Sequence, residues 1–207
     1  MQITYSWIAI AQRIQAIAQT GLTFAKDPYD AERYNELTSI AAGMMAAPQP
    51  ERIALALQLF SAEAGYATPK VDVRAAVFQN DRLLLVRERE DGYWTLPGGW
   101  AEVGQSAAES VEREVLEESG YVVKAVKLLA CWDRNKHPHP PIPFHAYKLV
   151  FRCDLIGGAP AISSETIGVE FFDEDEIPEL STTRTLREQI QFVFESRRNP
   201  GTPTVFD

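Results

Sequence analysis

LPGGWAEVGQSAAESVEREVLEESGY, residues 96–121, runs from a glycine–proline turn into an amphipathic helix. Ser106 and Glu109 have the S-x-x-E spacing of a capping box, and Gly120 supplies the terminator. Ala108, Val111 and Val115 give the helix an apolar stripe for packing on a core. Glu114, Glu117 and Glu118 stand at i, i+3 and i+4, so the three carboxylates share one face behind Arg113. Three clustered negative charges are unfavourable unless a cation sits among them, and hard oxygen donors suit Mg²⁺ or Mn²⁺. The bland alternative is a solvated acidic helix face.

The turn before the helix favours the first reading. Leu96-Pro97-Gly98-Gly99-Trp100 directly follows the strand-like Tyr93-Trp94-Thr95. The run from Gly99 to Tyr121 resembles the Nudix box, G-x5-E-x7-R-E-U-x-E-E-x-G-U, where U is aliphatic. Gly99, Arg113, Glu114, Glu117, Glu118 and Gly120 match it at the required spacing. With each residue type used at about one in fifteen to twenty, chance agreement at six positions is on the order of one in ten million. Two positions depart. Tyr121 replaces a terminal aliphatic residue, and Gln105 replaces the first glutamate. An amide oxygen is a weaker ligand for a hard cation than a carboxylate, which leaves the number of bound metals open.

The resemblance implies an α/β fold, a Nudix α/β/α sandwich with a mixed sheet, preceded here by a small all-α N-terminal domain. It implies hydrolysis of nucleoside diphosphates linked to X with Mg²⁺ or Mn²⁺ as cofactor. Glu117 and Glu118 would be the principal metal ligands and Glu114 a further ligand or the base. Arg113 would orient these carboxylates, and the Gly99 carbonyl would supply another ligand. Glu165, just before the strand-like Val169–Phe172, matches the place of a loop glutamate in many Nudix enzymes and is expected to be a ligand or the base. Glu102 is the other candidate. The N-terminal helices and the ending Thr204–Asp207 resemble a branch that hydrolyses CDP-choline or ADP-ribose. Two other readings stay open: a ligand sensor that has lost hydrolysis, and an enzyme acting on RNA ends.

Periodicity divides the chain into residues 1–65, helical, and 66–207, mixed. Trp7, Ile10, Ile14 and Ile17 recur at helix spacing, with Gly21 ending the pattern. Asp27-Pro28 reads as an N-cap with proline at the first helical position. Tyr34, Leu37, Ala41 and Met44 mark the face of a second helix, Pro48 and Pro50 a break, and Ile53, Leu57 and Phe60 a third helix. So small a unit has little core of its own, and a homodimer through these helices is expected. Beyond Pro69, strands are predicted over 71–78, 83–87, 122–132, 145–155 and 169–172, with a final helix over 183–196.

Composition bounds the function. At 207 residues with 45% hydrophobic and 24% charged residues, the chain reads as globular. A net charge of −9 argues against a broad grip on nucleic acid. Cys131 and Cys153 lie in strand-like runs and read as buried free thiols in a reducing cytoplasm. No leader-like or membrane-spanning segment is predicted. The expected partner is a small nucleoside diphosphate conjugate. Arg87, with Arg74 and Arg89 behind it, could reach phosphates or be exposed strand charges, and Trp100 and Trp132 could stack on a base or equally be core residues. The loop from Trp132 to Pro141, with His137 and His139, is expected to face substrate or a partner.

Overall fold

The computed structural model describes residues 7–47 and 49–207. Pro48, read as a helix breaker, lies outside the described residues. The chain forms two compact units. One comprises the described residues up to Pro69 with Pro141–His145, and the other comprises Lys70–Pro140 with Ala146–Asp207.

The first unit holds α1 (Trp7–Phe24), α2 (Pro28–Ala46), a 3₁₀ turn and α3 (Ile53–Ser61). The Asp27 side chain accepts from the Tyr29 N–H, and Pro28 occupies the first helical position. Two sequence expectations need correction here. Gly21 does not end α1, which runs on to Phe24. A Cβ at Gly21 would lie 2.3 Å from the Tyr34 ring, so glycine there lets α2 approach closely. The buried face of α1 is Ala11, Gln12, Gln15 and Ala18, not the Trp7–Ile17 stripe. Trp7 is 75% exposed and Ile17 45%. Small residues win the interface because they allow two helices into contact, and Gln12 is buried because its amide donates to the carbonyls of Ile142 and Phe144.

In the second unit, β1 (Lys70–Gln79) and β2 (Arg82–Glu88) form a hairpin. Its two turn residues, Asn80 and Asp81, both have positive φ, as a type I′ turn requires. β3 (Trp94–Thr95), α4 (Ala107–Ser119), β4 (Tyr121–Asp133), β5 (Ala146–Gly158), β6 (Thr166–Phe172), α5 (Arg187–Arg198) and β7 (Val205–Phe206) complete it. The order β3-β2-β1-β5-β4-β7, with β6 also on β2, is mixed: β1 runs parallel to β5, and β5 antiparallel to β4. Val73, Ala75, Val77 and Leu84 pack toward Val111 and Val115 of α4. Ala76, Leu83 and Leu85 pack toward Ile190, Val193 and Phe194 of α5. Both faces of the hairpin are therefore covered, which is why β2 reads as the continuous apolar run Leu83–Val86. The α/β/α sandwich expected from the sequence is the observed fold.

The last helix starts four residues later than predicted. Arg184 N–H and Thr185 N–H both donate to Ser181 O, and the Thr185 hydroxyl pairs with that of Thr95 at 2.8 Å. These local bonds compete with the helix and hold the segment against the strand that leads into Leu96. Among the described residues no helix is long and apolar enough to cross a membrane.

Candidate active site

The turn after β3 is fastened to β1 like a short extra strand. Pro97 O accepts from Ala75 N–H and Gly99 O from Val73 N–H, both at 2.8 Å. With those carbonyls turned toward β1, the Gly98 N–H points the other way and donates to Glu118 Oε2 at 2.8 Å. The Gly99 carbonyl, expected as a metal ligand, thus has one lone pair committed to the sheet.

The predicted capping box on α4 is present, with Ser106 Oγ accepting from Glu109 N–H and Glu109 Oε2 from Ser106 N–H. Gly120 caps the other end with φ 74°. This fixes the rotation of α4: Val111 and Val115 enter the core, while Arg113, Glu114, Glu117 and Glu118 lie around the Leu96–Gly99 turn. Arg113 Nη1 donates to Glu117 at 2.6 Å, Nη2 to Glu114 at 2.7 Å, and Nη2 lies 3.6 Å from Glu102. The guanidinium thus bridges two carboxylates of its own helix.

Gln105 is explained by the same guanidinium. Its Oε1 accepts from Arg113 Nε and from Ser110 Oγ, each at 3.2 Å. The amide oxygen positions Arg113, a task that needs an acceptor but not a charge. Gln105→Glu should therefore alter apparent Mg²⁺ affinity by about threefold or less and leave maximal turnover nearly unchanged. Metal titrations of activity check this, and a tenfold gain in turnover would contradict it.

The electrostatics separate the three glutamates. Glu117 is exposed. Burial raises the Glu114 carboxyl against the pull of Arg113. Glu118 is 5% exposed, and burial pushes its carboxyl up to about 8, with Arg74 and the Gly98 N–H acting in the opposite direction. Arg74 does not neutralise it by contact. Its guanidinium is bonded to Asp72 Oδ1 and to Leu96 O, and Asp72 also takes Lys148 Nζ. Among the described residues no three acidic, histidine or cysteine side chains converge as a metal cage, because Arg113 draws Glu114 and Glu117 to itself. The donor chemistry still fits a hard divalent cation: a buried carboxylate short of a counter-charge, with a second four residues earlier on the same helix.

Other predicted residues divide. Trp100 is 47% exposed beside Gly99 and free to stack. Trp132 is not: it is 7% exposed in the core, edge-on to Phe192. Its position on the α5 face of β4 makes it a packing residue, correcting the stacking expectation. His137 is spoken for by Asp207 at 3.1 Å and by the Trp132 ring. His139 is held by Thr182 O, and burial lowers it to about 4, so the ring is neutral. Arg134 donates to the carbonyls of Pro140 and Thr183, so the loop is tied both to itself and to the segment before α5. Arg87 Nε donates to Gly92 O, and Arg89 donates to carbonyls of the Ser163–Thr166 turn. Glu165 lies exposed on that turn, next to Thr166, whose hydroxyl donates to Glu118 O at 2.7 Å.

Two buried neighbours of these residues have little sequence signal. Glu88 is buried at the end of β2, 3.1 Å from Arg184 Nε, with Arg74 acting on its charge. Thr166 is buried against the end of α4. A glutamate ending an apolar strand was the one available hint. Cys153 is buried, its thiol pushed up to about 12 by burial, and Cys131 is half-buried.

Comparison with known proteins agrees with this geometry. The family model described as the NUDIX domain matches residues 68–192, and one described as "UDP-X-like, N-terminal oligomerisation domain" matches residues 5–60. A Bacillus subtilis (strain 168) protein named "Putative ADP-ribose pyrophosphatase YjhB" is 45% identical over the full length of both chains. The crystal structure of a UDP-X diphosphatase is 34% identical with a TM-score of 0.63, covering 97% of this chain and 98% of that one. An ADP-ribose pyrophosphatase structure from Streptococcus suis 89-1591 is 41% identical with a TM-score of 0.62, covering 68% of this chain and all of that one. The helix-borne glutamates, the glycine turn that holds Glu118 and the match over most of the chain place this protein in the Nudix hydrolase family.

Proposed function

We propose that this chain is a divalent-metal-dependent diphosphohydrolase that cleaves nucleoside diphosphates linked to X and releases a nucleoside monophosphate. The observation that carries the reading is the buried Glu118 carboxylate, bonded by Gly98 N–H on the face that also bears Glu114. Glu114, Glu117 and Glu118, with the free lone pair of Gly99 O, would hold Mg²⁺ or Mn²⁺. When bound, such a cation neutralises diphosphate oxygens and acidifies the attacking water. Arg113 keeps Glu114 and Glu117 oriented, Gly98 N–H keeps Glu118 in place, and Glu165 would take the proton of the water or add a ligand. Arg87 and Trp100 are the candidates for phosphate and base.

The names of the relatives make ADP-ribose and UDP-linked sugars the first substrates to test, with CDP-choline beside them. The test is release of AMP, UMP or CMP from ADP-ribose, UDP-glucose and CDP-choline with Mg²⁺ or Mn²⁺. Release from at least one, abolished by EDTA, is expected; no release from any overturns the reading.

The helical unit is proposed to form a homodimer. Its support is the oligomerisation description matched by residues 5–60 and the exposed apolar surface of α1, where Trp7, Ile17 and Phe24 stand in water. Light scattering of the full chain at micromolar concentration should give a dimer, and deletion of residues 1–65 a monomer or an aggregate. A monomeric full chain defeats the proposal. Free thiols fit a reducing compartment such as the cytoplasm.

A further inference from the structure

We propose that Arg89 is a positioning residue, holding the Ser163–Thr166 turn so that Glu165 stands beside the end of α4. The inference rests on the hydrolase reading above and assigns Arg89 to the scaffold of the site instead of to the substrate phosphates.

The turn is tied on three sides. Arg89 takes its carbonyls: backbone N–H to Glu165 O at 2.8 Å, Nε to Ser164 O at 2.9 Å, and Nη2 to Ser163 O at 3.2 Å and Thr166 O at 3.4 Å. Four consecutive carbonyls thus converge on one arginine. The turn satisfies its own donors through Ser163 Oγ, which accepts from Glu165 N–H and Thr166 N–H, each at 3.1 Å. The third tie is Thr166 Oγ1, which accepts from Ser163 N–H and donates to Glu118 O. That last bond joins the turn to the residue whose carboxylate is buried in the site. It also satisfies a carbonyl in the last turn of α4.

Strand register delivers the arginine. β2 and β6 pair antiparallel from Leu83↔Phe172 to Arg87↔Gly168, then shift so that Glu88 faces Thr166. Such an irregularity re-aims the residues that follow it. Arg89 comes directly after the shift and reaches the turn instead of continuing the ladder.

The consequence is an asymmetry within one residue. The main chain of Glu165 is bonded at both N–H and C=O, while its carboxylate takes no hydrogen bond from any described residue. A rigid backbone carrying an unengaged carboxylate is what a proton acceptor or an added ligand needs. An arginine meant for phosphate would keep its paired donors free for the ligand; here Nε and Nη2 are given to carbonyls.

The test is steady-state hydrolysis of ADP-ribose with Mg²⁺ by the full chain and by Arg89→Ala, Glu165→Gln and the double variant. Arg89→Ala should lower kcat about 10–100-fold with KM unchanged within about twofold. Glu165→Gln should lower kcat about 100-fold or more. The double variant should be no worse than Glu165→Gln, because Arg89 acts through that residue. Millimolar guanidinium should restore part of the turnover of Arg89→Ala and none of that of Glu165→Gln. A tenfold rise in KM with kcat kept, additive losses, or full turnover in Glu165→Gln would each overturn the assignment. Hydrogen exchange gives a readout without turnover: the Glu165 and Thr166 amides should exchange at least tenfold faster in Arg89→Ala, while the amides of α4 up to Val115 stay unchanged. Unchanged turn amides would overturn it too. If Arg89→Ala does not fold, Arg89→Lys serves, since one ammonium cannot span these carbonyls; exchange like that of wild type in that variant counts against the proposal. A wild type that hydrolyses nothing, with the exchange result intact, would overturn the hydrolase reading while keeping Arg89 as the clamp of this turn.

Discussion

Glu118→Gln should lose about 100-fold or more of turnover and yet melt several degrees above wild type when no divalent metal is added. The two effects have one cause. The carboxyl is buried, its ordinary value of 4.5 is raised to about 8, and among the described residues its hydrogen-bond donor is Gly98 N–H. Below pH 4.5 the group is neutral in the folded and the unfolded chain, and there is no penalty. Between 4.5 and about 8 the unfolded chain ionises while the folded one retains its proton, so stability falls steadily with rising pH. Above about 8 the loss is complete. Near pH 7.5 it amounts to about 4 kcal/mol, or roughly 8–16 °C in melting temperature. Glutamine keeps an oxygen for Gly98 N–H and cannot ionise, so its advantage should grow from pH 5 to pH 8. Mg²⁺ should raise the melting temperature of wild type and scarcely that of the variant. Turnover near the wild-type level under saturating Mg²⁺ and Mn²⁺ would remove Glu118 from the proposed metal site. A melting temperature unchanged across that pH range would remove the burial argument.

Local signals carried the sequence reading where they were strong. The cap at Ser106, the stop at Gly120 and the glutamate face between them depend only on neighbours along one helix, and the structure has each in place. The hairpin at Asn80-Asp81 is equally local. Reading failed where a distant partner decides. Trp7 and Ile17 have helical spacing, but α2 approaches through alanine and glycine, which leave no periodic hydrophobic trace. Trp132 looked available because its loop is polar, yet β4 turns it under α5. Arg89 is spent on carbonyls of the Ser163–Thr166 turn, and the sequence around an arginine does not reveal which acceptor it will meet. Glu88, Thr166 and Arg184 enter through strand register and a long-range ion pair, and no spacing rule links them to the glutamates of α4.

The two glycines of the turn should respond in opposite ways to alanine. A Cβ on Gly98 would lie 2.0 Å from Val73 O and 2.9 Å from Arg74 Cα, at a φ of +138°. Both neighbours are backbone of β1, the central strand, and cannot rotate away. Gly98→Ala should therefore push the turn off β1, losing the bonds from Ala75 and Val73 and the Gly98–Glu118 contact together. Its cost should be about 3 kcal/mol or more, with poor soluble yield. Gly99 has no positive φ, and its Cβ would lie 2.9 Å from Glu114 Oε2 and 3.1 Å from Glu114 Cδ. That neighbour is the end of a flexible side chain, so the fold can absorb the methyl by swinging Glu114 aside. Gly99→Ala should stay within about 1 kcal/mol of wild type in stability while kcat falls about 10–100-fold, because the displaced carboxylate is one proposed to act. Thermal melts and steady-state rates of the two variants, measured together, separate the roles. A well-folded Gly98→Ala would show that the turn is not pinned to β1, and a fully active Gly99→Ala would show that Glu114 is not needed where it stands.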